Sequence, residues 1–221
     1  MNLLDNIRRS ILNLFNSLPI VLMTTLATLA LGFGNYGMGW IVAGQILLYP
    51  IVGAMHLVTT ILGGNIPYSD TLVIVPTSSY RQINVLPSTW LVQVSYFFSY
   101  LFFNARDIYL KDPIDSDSDY TLKVNNRKAR TMIIMITSVV FLLLLVNCRV
   151  IARSELSRSP FITIMSIILS LGVGISGAYV WNHIGKQPNV GTGYLDVFGI
   201  SQQMILIPKT NEKTMCEGVN L

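Results

Sequence analysis

The chain has 221 residues, of which 52% are hydrophobic and only 12% are charged. A soluble domain usually carries about 25% charged residues, so much of this surface must face something other than water. The formal net charge is +4, and the basic residues flank apolar runs, where anionic lipid headgroups hold them. The composition argues against an ordinary water-soluble domain and indicates a lipid bilayer as partner, with no nucleic acid.

Residues 1–17 have the pattern of an amphipathic helix. Apolar side chains recur at three- and four-residue spacing, and polar side chains fill the other side. Such a helix can lie in the headgroup plane with its apolar face toward the acyl chains. We predict an N-terminal interfacial helix, and packing of the same face on a protein partner is the alternative.

Five apolar runs follow, and none of them contains Asp, Glu, Lys or Arg. A transmembrane helix needs about 20 apolar residues, and each charged residue at mid-bilayer costs about 2.5–3.5 kcal/mol. The sequence therefore predicts an all-α membrane protein with about five transmembrane helices, joined by extended loop and tail segments. The runs are Leu18–Phe33, Met38–Leu62, Thr89–Phe103, Thr131–Val146 and Phe161–Trp181.

The first two runs are predicted to form an antiparallel hairpin. Gly34, Asn35, Tyr36 and Gly37 separate them, and Gly and Asn accept the left-handed backbone that a tight reversal needs. Pro19 stands near the start of the first run, at a position that a helix start tolerates. The predicted organisation is an interfacial helix at 1–17, a transmembrane hairpin at 18–62, a loop at 63–88, three transmembrane helices at 89–181 with a polar loop at 104–130, and a soluble tail at 182–221.

Small residues four positions apart mark the predicted helix-packing surfaces. At this spacing they let two helix backbones approach closely within a membrane, either inside one chain or between copies. The residues are Gly39 and Ala43 in the second run, Ser170, Gly174 and Ala178 in one stripe of the fifth run, and Gly172 and Ser176 in another.

His56 lies inside the second run, and an ionisable residue within a membrane helix is a functional candidate by default. The five runs offer it no carboxylate, cysteine or second histidine, so we predict an interhelical hydrogen bonder. Together with Gln45 and Gln93, it could instead line a solute path in an assembly. A channel or transporter subunit is therefore the alternative function.

The third run is rich in aromatic residues, whose rings are spread around the helix. This distribution predicts packing against both protein and lipid. The aromatic residues are Trp90, Tyr96, Phe97, Phe98, Tyr100, Phe102 and Phe103.

Asp115, Asp117 and Asp119 alternate with serine, as carboxylates do at the start of a calcium loop. The pattern then fails, because Tyr120 stands where the sharp turn needs Gly and Asn126 stands where a bidentate Glu is expected. We predict a solvated acidic turn. The sequence also lacks a nucleophile with a base, a phosphate-cradling loop and a metal cluster, so neither an enzyme nor a cofactor is expected.

Two segments outside the runs are candidate partner-binding sites. In the first, Asp115, Asp117 and Asp119 precede Arg127, Lys128 and Arg130, a charge dipole that can orient a partner; an ordinary cationic flank of the next helix is the alternative. The second segment lies in the tail and has β-favouring, apolar side chains that can bury contact area. Its residues are Met204, Ile205, Leu206 and Ile207.

An aromatic run continues into residues 104–109 (NARDIY), and an acidic linker then leads to residues 124–130 (VNNRKAR) before another run. This arrangement resembles small multi-pass membrane proteins of large icosahedral DNA viruses such as the chloroviruses. The resemblance implies a virion protein of the inner membrane beneath the capsid, a minor capsid protein without catalytic residues. The expected function is a structural scaffold that links this membrane to capsid proteins through its loops and tail.

Overall fold

A computed structural model describes residues 3–33, 36–63, 87–110, 118–154 and 160–186. Every regular element in these ranges is an α-helix, which confirms the predicted all-α fold. The helices are α1 (Leu3–Phe33), α2 (Tyr36–Gly63), α3 (Thr89–Leu110), α4 (Ser118–Ser154) and α5 (Pro160–Gly185).

Four of the described helices contain a stretch that is long and apolar enough to cross a membrane. This confirms the prediction of a protein with transmembrane helices. The stretches are Asn13–Gly32 in α1, Gly37–Val58 in α2, Asn125–Arg149 in α4 and Ile164–Gly185 in α5.

Neighbouring helices alternate in direction. The beginning of α3, here called the Trp90 end of the bundle, contacts Phe15 of α1 and Arg149 of α4. The end of α3, here called the Asp107 end, contacts Asn182 of α5. In α2, Trp40 near the start contacts Trp181 of α5, and His56 near the end contacts Pro87 before α3. The helices α1, α3 and α5 therefore run in one direction and α2 and α4 in the other.

The central element is α3, which packs against all four of the other described helices and most extensively against α5 and α4. Thirteen of its 22 residues are buried. It lacks an apolar stretch like the four above because its buried face includes Gln93, Ser95, Ser99 and Asn104. A helix that is enclosed by other helices can bury polar side chains in hydrogen bonds between helices, so α3 reaches both ends of the bundle without facing lipid all round.

The aromatic rings of α3 contact protein on several sides. The ring of Phe98 stacks on Phe141 of α4, and the ring of Phe103 meets Tyr179 of α5 edge to face. Protein packing therefore accounts for more of this aromatic surface than the sequence pattern indicated.

The outer surface of the bundle is apolar. Large hydrophobic side chains are exposed along α2, α4 and α5, and a surface of this size would be unfavourable in water but is suited to acyl chains. They include Ile46, Leu47 and Ile51 of α2, Ile133, Ile136, Val140 and Leu144 of α4, and Ile168, Leu169 and Val180 of α5.

Several predicted boundaries differ from the observed ones. Residues 3–17 of the predicted interfacial segment and the first apolar run form one continuous helix with Pro19 inside it, as membrane helices allow when neighbouring groups satisfy the freed carbonyl. The helix α4 begins at Ser118, not Thr131, because a polar sequence can end a membrane span without ending the helix. Helical residues 104–110 and 118–130 thus take up most of the predicted polar loop at 104–130, whose remaining residues 111–117 lie outside the described part of the chain, and α5 continues to Gly185.

The remaining predicted segments lie outside the described residues. They are most of the 63–88 loop, turn residues 34 and 35, and the tail from 187 onward.

Candidate functional site

Polar side chains collect inside the bundle around α3. A polar group buried in hydrocarbon is costly unless it is hydrogen-bonded, so these side chains are expected to bond between helices. They are Gln45 and His56 of α2, Ser88 before α3, Gln93, Ser95, Ser99 and Asn104 of α3, Thr131 and Ser138 of α4, and Ser166, Ser170 and Asn182 of α5.

The segment leading into α3 is held by α2 and α5. The Nε2 atom of His56 donates a hydrogen bond to the carbonyl oxygen of Pro87 at 2.6 Å. The backbone N–H of Ser88 donates to Oγ of Ser170 at 2.7 Å, and its carbonyl accepts the N–H of Val92, at 3.0 Å. The start of α3 is therefore fixed between two other helices, and His56 acts as a structural hydrogen bonder.

A second polar contact joins the middle of α2 to α3. The Nε2 atom of Gln93 donates a hydrogen bond to the backbone carbonyl of Gln45 at 3.1 Å. Nearby, the hydroxyl of Tyr96 and the indole of Trp181 occupy the space in which a side chain at Gly44 would lie. The absence of a side chain at Gly44 thus lets three helices meet, and the sequence pattern did not single out this glycine.

One predicted small-residue stripe of α5 faces α3. Ser170 and Ala178 are fully buried, and a Cβ at Gly174 would lie only 2.6 Å from the carbonyl oxygen of Val92. The hydroxyl of Ser95 donates to the Val92 carbonyl and, at 3.4 Å, to the Ser170 carbonyl. This stripe brings the backbones of α3 and α5 into close contact.

The other predicted small residues are placed differently. Gly172 and Ser176 are exposed on the outer face of α5, and nothing lies within 4 Å of a Cβ built at Gly172. Gly39 faces α1, where its Cβ would touch Ala30 at 3.8 Å, and Ala43 is partly buried. Within the described chain, the stripe of Ser170, Gly174 and Ala178 therefore packs against another helix, and the stripe of Gly172 and Ser176 does not.

Two tryptophans join the start of α2 to the end of α5. The rings of Trp40 and Trp181 stack with centroids 4.5 Å apart. Each indole N–H donates to the other residue's backbone carbonyl, at 3.3 Å from Trp40 and 2.8 Å from Trp181. The sequence did not predict this reciprocal pairing. Whether Trp40 and Trp181 meet depends on how α2 and α5, which are far apart in sequence, are aligned along each other.

The Trp90 end is closed by side chains from three helices. The indole N–H of Trp90 donates to the Phe15 carbonyl at 2.9 Å, and their ring centroids are 4.7 Å apart. The guanidinium of Arg149 lies 5.1 Å from the centroid of the Trp90 ring and donates to Oδ1 of Asn16 at 2.7 Å. A cation on an aromatic face stabilises this arrangement.

The Asp107 end is closed by an ionic contact. The carboxylate of Asp107 accepts a hydrogen bond from Nδ2 of Asn182 at 2.6 Å and forms an ion pair with Lys186. The ammonium of Lys128 lies 5.8 Å from the centroid of the Tyr109 ring. The contacts of Asp107 join the ends of α3 and α5, and the contact of Tyr109 joins the end of α3 to Lys128 of α4.

The predicted partner-binding residues are only partly described. Asp119 lies in the first turn of α4, while Asp115, Asp117 and the residues Met204, Ile205, Leu206 and Ile207 lie outside the described residues. Arg130 is exposed and Lys128 is partly buried. Arg127 stays a partner-binding prediction, but its side chain is buried. The reason is that residues 125–130 are helical, and Arg127 falls on the face of α4 that also buries Thr131 and Ser138.

The charges of α4 indicate where the bilayer lies. Between Arg130 and Arg149 there are eighteen residues without a charge, and at 1.5 Å per residue these span about 27 Å. The hydrocarbon core of a bilayer is about 30 Å thick. The uncharged part of α4 is therefore about as long as a hydrocarbon core is thick, and a bilayer centred on it would place the contacts of the Trp90 and Asp107 ends near its headgroups.

Comparison with known proteins gives no relative: no family model, no curated protein and no solved structure matches this chain. Within the part of the chain that the structure describes, no group of His, Cys, Asp or Glu could hold a metal ion. The class that the fold defines is an all-α protein with membrane-spanning helices. Several of its buried polar side chains form hydrogen bonds between helices.

Proposed function

We propose that this chain is a structural multi-pass membrane protein that anchors a larger assembly in a lipid bilayer. The observation that carries this proposal is the use of polar side chains for contacts between helices, in the core and at both ends of α3. Such contacts make a stiff bundle, and its apolar outer faces suit a lipid environment. A stiff, lipid-embedded body is what an anchor needs.

The proposal extends to a viral setting, in which the protein is a minor capsid protein that links an inner membrane to capsid proteins. Support comes from the resemblance carried by residues 104–109 and 124–130. The exposed Arg106 and Arg130 at the Asp107 end add to it, because they present charge just outside the bilayer on the side from which the tail leaves α5. Other proteins of the assembly would bind residues 111–117 and the tail at 187–221.

Removing the tail tests the anchoring role. A chain truncated after Lys186 keeps every described helix and the Asp107–Lys186 ion pair. We expect it to resist carbonate extraction from membranes as the full chain does, yet to be absent from the purified parent particle. If the truncated chain is incorporated at the normal level, the tail is not the tether and the proposal fails.

A matched pair of tail variants separates apolar contact from charge. Replacing Ile205 and Ile207 together with Asp should reduce incorporation about as much as truncation does, because the apolar run is expected to be buried against a partner. Replacing Lys209 and Lys213 with Gln should leave incorporation near normal. The opposite ranking would assign binding to the tail's charges and contradict a role for the apolar run.

The alternative, a channel or transporter subunit, has one observation in its favour, which is the polar content of the α2–α3 contact. In the described chain Gln45, His56 and Gln93 are nevertheless 1%, 1% and 2% exposed, so they face protein and not an open path. Purified protein in liposomes is expected to give no proton or potassium flux above that of empty vesicles. A flux that His56→Ala abolishes would favour the channel.

A further inference from the structure

Gln45 of α2 and Tyr96 of α3 carry three buried polar atoms that have no hydrogen-bond partner among the described residues. The Gln45 side chain is 1% exposed, and neither Nε2 nor Oε1 of its amide has a hydrogen-bond partner among the described residues. The hydroxyl of Tyr96, whose side chain is also 1% exposed, lacks a partner in the same part of the chain. By contrast, Ser95 and Gln93 in this core donate hydrogen bonds to backbone carbonyls of other helices.

The two residues that carry these atoms belong to one layer of the bundle. Gln93 donates to the backbone carbonyl of Gln45, and Tyr96 lies one helical turn beyond Gln93 on α3. The Tyr96 hydroxyl lies against Gly44, the residue that precedes Gln45. The amide and the hydroxyl that lack partners among the described residues therefore belong to residues at the contact between α2 and α3.

This layer lies well inside the bilayer. Gln45 is eight residues from Gly37, where the apolar stretch of α2 begins, and at 1.5 Å per residue this is about 12 Å. At such depth lipid supplies no hydrogen-bonding groups, so an unpaired amide is strongly unfavourable. A water molecule can donate and accept at once and usually makes about three hydrogen bonds to buried polar groups that lack other partners.

We propose that water bound between α2 and α3 hydrogen-bonds to the Gln45 amide and the Tyr96 hydroxyl. The amide offers N–H donors and a carbonyl acceptor, and the hydroxyl can take either role, so bound water satisfies all three atoms. The site is a structural water site that strengthens the contact between α2 and α3. It does not depend on the proposed anchoring role.

Solid-state NMR of the full-length protein in phosphatidylcholine bilayers tests the proposal directly. Magnetisation transferred from water should reach the Gln45 side-chain amide and the Tyr96 ring quickly. Val52 and Val92 are buried to 1% and 0% exposure and serve as apolar controls, at which transfer should be slow. Transfer to the Gln45 amide as slow as transfer to Val52 would overturn the proposal.

Two variants add a thermodynamic readout. In Gln45→Met, water transfer to Tyr96 should fall toward the rate seen at Val52, and the unfolding midpoint should not rise, because a satisfied amide has been removed. A higher unfolding midpoint for Gln45→Met would mean that the amide is dry and unsatisfied, which contradicts the proposal. Tyr96→Phe should lower water transfer to the Gln45 amide in the same way. The wild-type measurement decides the question even if a variant fails to fold.

Discussion

Gly174 and Gly172 are neighbours along α5 but have opposite surroundings. At Gly174 a side chain would meet the backbone of α3 at Val92 and Tyr96, whereas at Gly172 nothing lies within 4 Å. A backbone contact cannot rotate out of the way, so the requirement for glycine at Gly174 comes from the approach of two helices. Spacing alone cannot separate the two stripes, since both repeat every four residues and only the register against α3 distinguishes them.

The two glycines form a matched test. Gly174→Ala is expected to lower the free energy of unfolding by about 1–3 kcal/mol, because the added methyl group overpacks the α3–α5 contact. Gly172→Ala adds the same group on the open face and should leave stability unchanged or raise it by up to about 1 kcal/mol through helix propensity. Unfolding in detergent followed by circular dichroism measures both. Equal losses at the two positions would contradict the assigned faces of α5.

At the scale of elements, α3 differs from the helices around it. Its neighbours are apolar toward lipid, whereas α3 hides Gln93, Ser95 and Asn104 among other helices. Each of these side chains would be unfavourable if a lone α3 were surrounded by acyl chains. The polar side chains of α3 therefore stabilise the bundle, but they also make the position of α3 in the membrane depend on the helices around it.

Membrane insertion of single helices tests this dependence. The segments Gly37–Val58 and Ile164–Gly185, placed alone in a host protein with glycosylation reporters, should insert efficiently. The segment Thr89–Leu110 should insert poorly alone and better when α4 and α5 follow it. A variant of this segment with Gln93→Leu and Asn104→Leu should insert alone, since leucine favours insertion. Efficient insertion of the unaltered segment would contradict the account of α3.

The sequence predicts the helices well because long charge-free runs have few stable alternatives in lipid. It does not predict which helix is enclosed, since apolar content reports the preference of a segment for lipid and not its neighbours. The burial of Arg127 was missed for the same reason: its position on the inner face of α4 depends on packing against α3. The stacked pair of Trp40 and Trp181 is likewise set by the register of distant helices.

At the scale of the whole molecule, polar contacts between helices lie at both ends of the bundle, and buried polar side chains lie between them. Arg149 and Trp90 close one end, and Asp107 and Lys186 close the other. Between them, the outer faces of α2, α4 and α5 are apolar over roughly the thickness of a bilayer. On this arrangement we expect α3 to cross the membrane along with the four more apolar helices, which gives five crossings.

Cysteine accessibility on either side of α3 tests the five-crossing arrangement most directly. After Cys148 and Cys216 are replaced with serine, single cysteines at Asn35, Ser79 and Ser116 are labelled in sealed vesicles with a membrane-impermeant maleimide. The account predicts that Asn35 and Ser116 are labelled from the same side and Ser79 only from the other. Labelling of Ser79 and Ser116 from one side would mean that α3 does not cross the membrane and would contradict the central claim.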